Sequence, residues 1–187
     1  MNITLITTNQ NKVDEVTEIM KEFSIGVDHT NIDYPEDKEG TIQELVTKAV
    51  KPLAEKLNKP VVIEDTGLFF EAYKDFPGLF PKIIYKSIGF KGIQKLLEGE
   101  SRKAYFLVVV GYCEPGKEPV LFEAKMNGSI KEDVFEALEP IFPYDTLFIP
   151  EGHDIPICEM SMELKNSFSH RGEAFRALGE YLTNTKL

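Results

Sequence analysis

Residues 41 to 63 constrain the fold more than any other stretch. Thr41 and Glu44 have the spacing of a capping box. Ile42, Leu45, Val46, Ala49, Val50, Leu53 and Leu57 then fall on one face of a helix. Pro52 interrupts that run and predicts a kink or an irregular end. Shortly after it, Val61-Val62-Ile63 reads as a buried strand. A one-faced helix feeding a buried strand is the building unit of a layered α/β fold.

The same alternation opens the chain. Ile3 to Ile6 is a short β-prone run, followed by the polar turn Thr7-Thr8-Asn9. Val13, Val16, Ile19, Met20 and Phe23 then recur at helical spacing, with Asp14 and Glu15 read as first-turn acids. Ile25 to Ile32 suits a second strand. Ile93 to Leu97 suggests a short helix. Tyr105–Tyr112 and Val120–Lys125 read as two strands joined by the turn-rich 114–117 segment, and Thr146–Ile149 as another. A last helix carries Ala174, Phe175, Leu178, Tyr181 and Leu182 on one face, its start marked by Ser169-His170-Arg171. The expected class is α/β, a mixed twisted sheet with flanking helices. The 187 residues show no repeat, low-complexity tract or linker and are read as one domain, 1–187.

Composition narrows the function. A formal charge of -10 disfavours a nucleic-acid polymer as partner, because an acidic surface repels phosphate backbones. A small anion remains possible where local cations and a carboxylate-bound metal offset the charge. No apolar run approaches the ~20 residues of a membrane helix, so no membrane partner is expected. The start Met1-Asn2-Ile3-Thr4 does not resemble a secretory signal. Cys113 and Cys158 lie far apart without metal-ligand spacing, which fits a reducing, cytoplasmic setting.

Six places could carry chemistry. The turn from Thr7 to Lys12 joins a strand to a helix N-terminus, where free backbone N–H groups and the helix dipole favour phosphate. Read alone, it is equally an Asn-rich cap beside a solvated lysine. Glu64 and Asp65 directly follow an apolar strand. Burying two adjacent acids is costly unless they are paired or bind a metal, and carboxylate oxygens suit magnesium. The alternative is a solvated strand end. Glu36 in an acidic loop is a further candidate ligand, and Lys48 an exposed cation on the polar face of its helix. Lys165, His170 and Arg171 form a basic knot near a helix start. Phe142-Pro143-Tyr144-Asp145 places aromatic rings and a carboxylate on a loop, or else plugs that loop into the core.

Taken in order, these blocks resemble the inosine triphosphate pyrophosphatase family. Thr7-x-Asn9-x-x-Lys12 looks like its phosphate motif. Glu64-Asp65-Thr66-Gly67-Leu68, followed by Phe76-Pro77-Gly78, looks like its metal and catalytic motif. Phe142 to Asp145 with Phe148 to Gly152 looks like its base-pocket loop, and Lys165-Asn166 with Ser169-His170-Arg171 like its C-terminal signature. The resemblance runs from about residue 3 to residue 182.

It implies two lobes around a central cleft, usually in a homodimer. It also implies Mg2+-dependent hydrolysis of ITP, XTP and dITP to the monophosphate and pyrophosphate. Thr7, Asn9, Lys12 and Lys48 would hold the triphosphate, and Lys12 and Lys48 would also stabilise the departing pyrophosphate. Glu36 and Asp65 would hold the metal, with Glu64 nearby, and Asp65 would orient the attacking water. Phe142 would stack on the base. Asp145, Lys165, Ser169, His170 and Arg171 would contact base, sugar or phosphate. Two departures stand out. Pro143 replaces the usual Gly and removes a backbone N–H. Leu79-Phe80-Pro81-Lys82 replaces small residues around a Tyr, which makes Lys82 a candidate extra phosphate ligand.

Overall fold

The computed structural model describes residues 1–32, 40–132 and 143–185. Glu36 and Phe142 lie outside the described residues. The fold is mixed α/β. Its strands are β1 (Asn2–Ile6), β2 (Gly26–Thr30), β3 (Val61–Phe70), β4 (Pro77–Gly78), β5 (Lys103–Cys113), β6 (Val120–Ile130) and β7 (Phe148–Pro150). The helices are α1 (Gln10–Lys21), α2 (Ile42–Leu57), α3 (Pro81–Leu96), α4 (Met162–Phe168) and α5 (His170–Asn184). One sheet runs in the order β2-β1-β3-β5-β6-β7, with β4 also paired to β3. β1 is parallel to both β2 and β3, while β3–β4 and β6–β7 are antiparallel.

The chain divides into two compact units. The first holds Met1–Thr66, Val108–Ala124 and Asn166–Leu187. Ile3, Leu5 and Val62 of its sheet pack with Val16, Ile19 and Met20 of α1 and with Phe175 and Leu178 of α5, all nearly inaccessible to water. Each side chain of this size stabilises the fold by roughly 1.5–3 kcal/mol when fully buried. The capping box of Thr41 and Glu44 opens α2. Pro52 sits inside that helix and has no N–H for the Lys48 carbonyl, yet the helix runs on to Leu57 and closes at Asn58 in the left-handed region.

The second unit holds Gly67–Leu107 and Lys125–Lys165. Its core mixes aliphatic side chains such as Leu68, Ile93 and Leu97 with aromatic pairs: Phe70 packs with Phe76 and Tyr144, and Phe106 with Phe148 at 4.8 Å between ring centres. Arg102 donates through Nε to the Ile130 carbonyl at 2.7 Å and through Nη2 to the Lys131 carbonyl at 2.7 Å, which fixes the start of β5 against the end of β6.

Several boundaries differ from the sequence expectation. β3 does not stop at Ile63; it continues through Glu64-Asp65-Thr66-Gly67 to Phe70, so the paired acids lie in mid-strand. Pairing with neighbouring strands overrides the weak β preference of Glu, Asp and Gly. α3 starts at Pro81, twelve residues before the expected helix at Ile93. Its periodicity is hidden because Gly89 (φ 61°, ψ -174°) breaks it into two helical stretches. α4 was not expected at all. Asp14 and Glu15 fall after the first turn of α1, because the helix opens at Gln10 under an Asn9 cap.

Candidate active site

The turn between β1 and α1 is built by its own side chains. The Asn9 N–H donates to Thr7 Oγ1 at 3.2 Å, and the Asn11 N–H donates to Asn9 Oδ1 at 3.0 Å, which caps the helix. The Thr7 carbonyl lies 2.8 Å from His29 Nε2. This geometry sets Lys12 on the first turn of α1.

Lys12 Nζ lies 2.9 Å from Glu64 Oε1. Arg171 reaches the same oxygen from α5, with Nε at 3.1 Å, and its Nη1 lies 2.7 Å from Glu15 Oε2. Glu64, Glu15 and Arg171 are all buried. The resulting chain is Lys12–Glu64–Arg171–Glu15, entirely within the first unit. Burial alone would raise the Glu64 carboxyl, but Arg171 and then Lys12 outweigh it and hold it down at about 2. Burial acts on Arg171 in the opposite sense to Glu64 and Glu15, and the two carboxylates win, keeping the guanidinium charged.

Alternation along β3 separates the two acids. Glu64 faces the buried side, whereas Asp65 is half-buried and accepts the Thr66 N–H on Oδ1 at 2.8 Å. Glu64 Oε2 meets the Thr66 hydroxyl only at 3.5 Å. The sequence argument for a metal at Glu64 was the cost of an uncompensated buried carboxylate. Lys12 and Arg171 already supply that compensation on Oε1. Among the described residues no group of three or more Asp, Glu, His or Cys side chains forms a ready metal cage. Asp65 and Glu64 Oε2 are carboxylate oxygens that match the hard-ligand chemistry of magnesium, which keeps most of its shell for water and substrate phosphates.

The remaining candidates fall in different places. Ser169 is fully buried and caps α5, its Oγ accepting the Gly172 N–H at 3.1 Å. His170 is buried beside it. Lys48 is exposed on α2 and forms no bond with the Lys12–Glu64–Arg171 cluster. In the second unit, Lys165 Nζ lies 2.9 Å from Asp145 Oδ2, and Asp145 sits in a short 3-10 turn that begins at Pro143. Lys82 is exposed near the start of α3.

Two features escaped the sequence reading. Arg171 spends two donors on carboxylates, a duty beyond the substrate contact expected of it. Glu15, expected in the first turn of the helix, is instead the buried partner of Arg171. Its signal was available, since it stands four residues before Ile19 and therefore on the apolar side of α1. A carboxylate in that stripe needs a buried cation.

Fold and site together define an α/β protein whose charged centre is a buried strand carboxylate braced by one lysine and one arginine. The chain belongs to the Ham1 family, whose model matches residues 3–181. It is 40% identical to the dITP/XTP pyrophosphatase of Methanopyrus kandleri over 98% of this chain and 97% of that one. With the dITP/XTP pyrophosphatase of Thermococcus kodakarensis it shares 37% identity over 97% of each. Among solved structures, a HAM1 protein from Coxiella burnetii matches with a TM-score of 0.78 at 24% identity, covering 98% of this chain and 99% of that one. The Staphylococcus aureus Ham1 protein matches with a TM-score of 0.73 at 22% identity, over 99% and 100%. The family expected from the motifs is borne out.

Proposed function

We propose that this protein hydrolyses dITP, ITP and XTP to the nucleoside monophosphate and pyrophosphate, and so removes deaminated purines from the nucleotide pool. The observation that carries the reading is the convergence of Lys12 and Arg171 on Glu64, beside the more accessible Asp65. The names of the relatives from Methanopyrus kandleri and Thermococcus kodakarensis point the same way.

In this reading the capped turn Thr7–Lys12 binds the triphosphate through backbone N–H groups and Lys12, with Lys48 as a second cation. Asp65 orients the attacking water and takes its proton as the water adds to the α-phosphorus in line with the departing pyrophosphate. Lys12 and Lys48 stabilise the charge that collects on the pyrophosphate. Asp65 and Glu64 Oε2, with Glu36 as a further ligand, would hold magnesium, which would supply charge neutralisation to the phosphate oxygens. Arg171, fixed through Nε and Nη1, keeps Nη2 for the substrate, and Ser169 and His170 line the same α5 start.

Phe142 stacks on the base, and the Asp145–Lys165 pair reads it. Donors aimed at a 6-oxo group favour hypoxanthine and xanthine, because the 6-amino group of adenine cannot accept those bonds. We further assign the protein to the cytoplasm as a homodimer with no polymeric nucleic-acid or membrane partner. The charge of -10 supports the exclusion of nucleic acid, and no described helix is long and apolar enough to cross a membrane. Incubation with dITP and magnesium tests the reading: dIMP and pyrophosphate should appear in one step, and dIDP with orthophosphate would refute it.

A further inference from the structure

We infer that Arg176 is a positioning residue for this site: its guanidinium clamps the ends of α1 and α4 together and thereby fixes the Arg171–Glu64 contact. The inference rests on the proposed function only for its kinetic consequence.

Arg176 is oriented by three bonds. Nε and Nη2 form a fork on Glu22, with distances of 2.9 Å and 3.0 Å. Glu22 is the C-cap of α1. Nη1 donates to the Asn166 carbonyl at 2.9 Å, in the last turn of α4, where helix carbonyls lose their internal partners. That carbonyl lies so close to α5 that a Cβ on Gly172 would stand 2.0 Å from it. The Asn166 side chain makes a second tie, its Nδ2 reaching the Glu15 carbonyl on α1 at 3.4 Å. Arg171 sits inside this frame, between the Ser169 cap and Gly172, and its Nη1 reaches Glu15.

Two ties therefore hold the corner between α4 and α5 to α1, one at Glu22 and one at Glu15, the residue that also receives Arg171. α1 also carries Lys12, the second donor to Glu64. If the clamp opens, α1 and the start of α5 shift relative to each other, and both cations lose their register on Glu64. A planar fork with a third donor suits this task. A lysine ammonium could meet Glu22 or the carbonyl but could not match the bidentate geometry. The Arg176–Glu22 pair is partly exposed, so its direct contribution to stability is small and its consequence is geometric.

Two variants, Arg176→Met and Glu22→Gln, break the clamp from opposite ends. The first readout is water exchange of the Arg171 Nε–H, followed by NMR, since Nε donates that proton to Glu64 Oε1 across 3.1 Å between the heavy atoms. Exchange should quicken about tenfold in both variants. Turnover of dITP should fall about tenfold, below the ~10²-fold cost of a full 1 Å misplacement, with KM little changed. Arg176→Lys should lie between wild type and Arg176→Met in both readouts. Unchanged Arg171 exchange in either variant overturns the inference, even where the melting temperature drops, because a purely structural role would affect stability alone. The exchange readout needs no substrate. A wild-type protein inactive on dITP would refute the proposed function and leave the clamp to be decided by NMR.

Discussion

Lys12 and Arg171 donate to the same oxygen of Glu64, from α1 and α5, at 2.9 Å and 3.1 Å. One carboxylate oxygen thus bridges two cations, and Glu15 supplies the second negative charge through Arg171. Removing the Glu64 charge takes from Lys12 the carboxylate it pairs with and leaves Arg171 with Glu15 alone. Glu64→Gln should cost about 3–5 kcal/mol, the range for breaking a buried ion pair from one side. Urea unfolding measures this directly, and a loss below ~1 kcal/mol would show that the pairing is not maintained in solution.

Asp65 differs from Glu64 in what it can lose. It is half-buried, and its Oδ1 accepts the Thr66 N–H. Asp65→Asn is nearly isosteric, so the fold should persist while turnover falls by at least ~10²-fold, the scale of a lost general base that also holds the metal. Circular dichroism checks the fold and steady-state kinetics the rate. Near-normal turnover at saturating magnesium would remove Asp65 from the mechanism.

Gly172 sets two effects against each other. Alanine is favoured over glycine inside a helix by about 1 kcal/mol. Here its Cβ would stand 2.0 Å from the Asn166 carbonyl oxygen, which is backbone and cannot swing aside. Overpacking of this kind costs roughly 1–3 kcal/mol and should win. Gly172→Ala is therefore expected to lower the melting temperature; a rise would mean that the α4–α5 corner relaxes freely.

Base selectivity is best probed away from the buried chain. Arg171→Ala would leave Glu64 and Glu15 without their shared cation, so lost stability would mix with lost recognition. Lys165 pairs with Asp145 in the second unit, outside that chain, so its loss leaves Glu64, Arg171 and Glu15 in place. Lys165→Met should reduce kcat/KM for ITP far more than for ATP. Sites that hydrogen-bond a substrate group reach ~10⁴–10⁵ discrimination, so the wild-type ratio leaves ample room for compression. Equal losses on both nucleotides would assign Lys165 to phosphate or sugar instead.

The parts of the fold legible in sequence are those with local chemistry. The capping box at Thr41 and Glu44, the Asn9 turn and the Ser169 cap each require only a few neighbouring residues. The apolar stripes of α1, α2 and α5 could be read because one face of each is buried. β3 beyond Ile63 was not legible, because its acids and glycine take strand geometry from their partners. α3 was hidden by the break at Gly89. In the site, Lys12 and the two acids were visible as motifs. The Glu15–Arg171 bridge was not, since its members stand 156 residues apart and meet only after α1 and α5 pack.

The central claim is that water attacks the α-phosphorus. Hydrolysis of dITP in water enriched in oxygen-18, with the products separated and weighed by mass spectrometry, tests it most directly. Attack at the α-phosphorus puts one labelled oxygen in dIMP and none in pyrophosphate, with dIDP absent at every time point. Label in pyrophosphate, or dIDP appearing with orthophosphate, would contradict it.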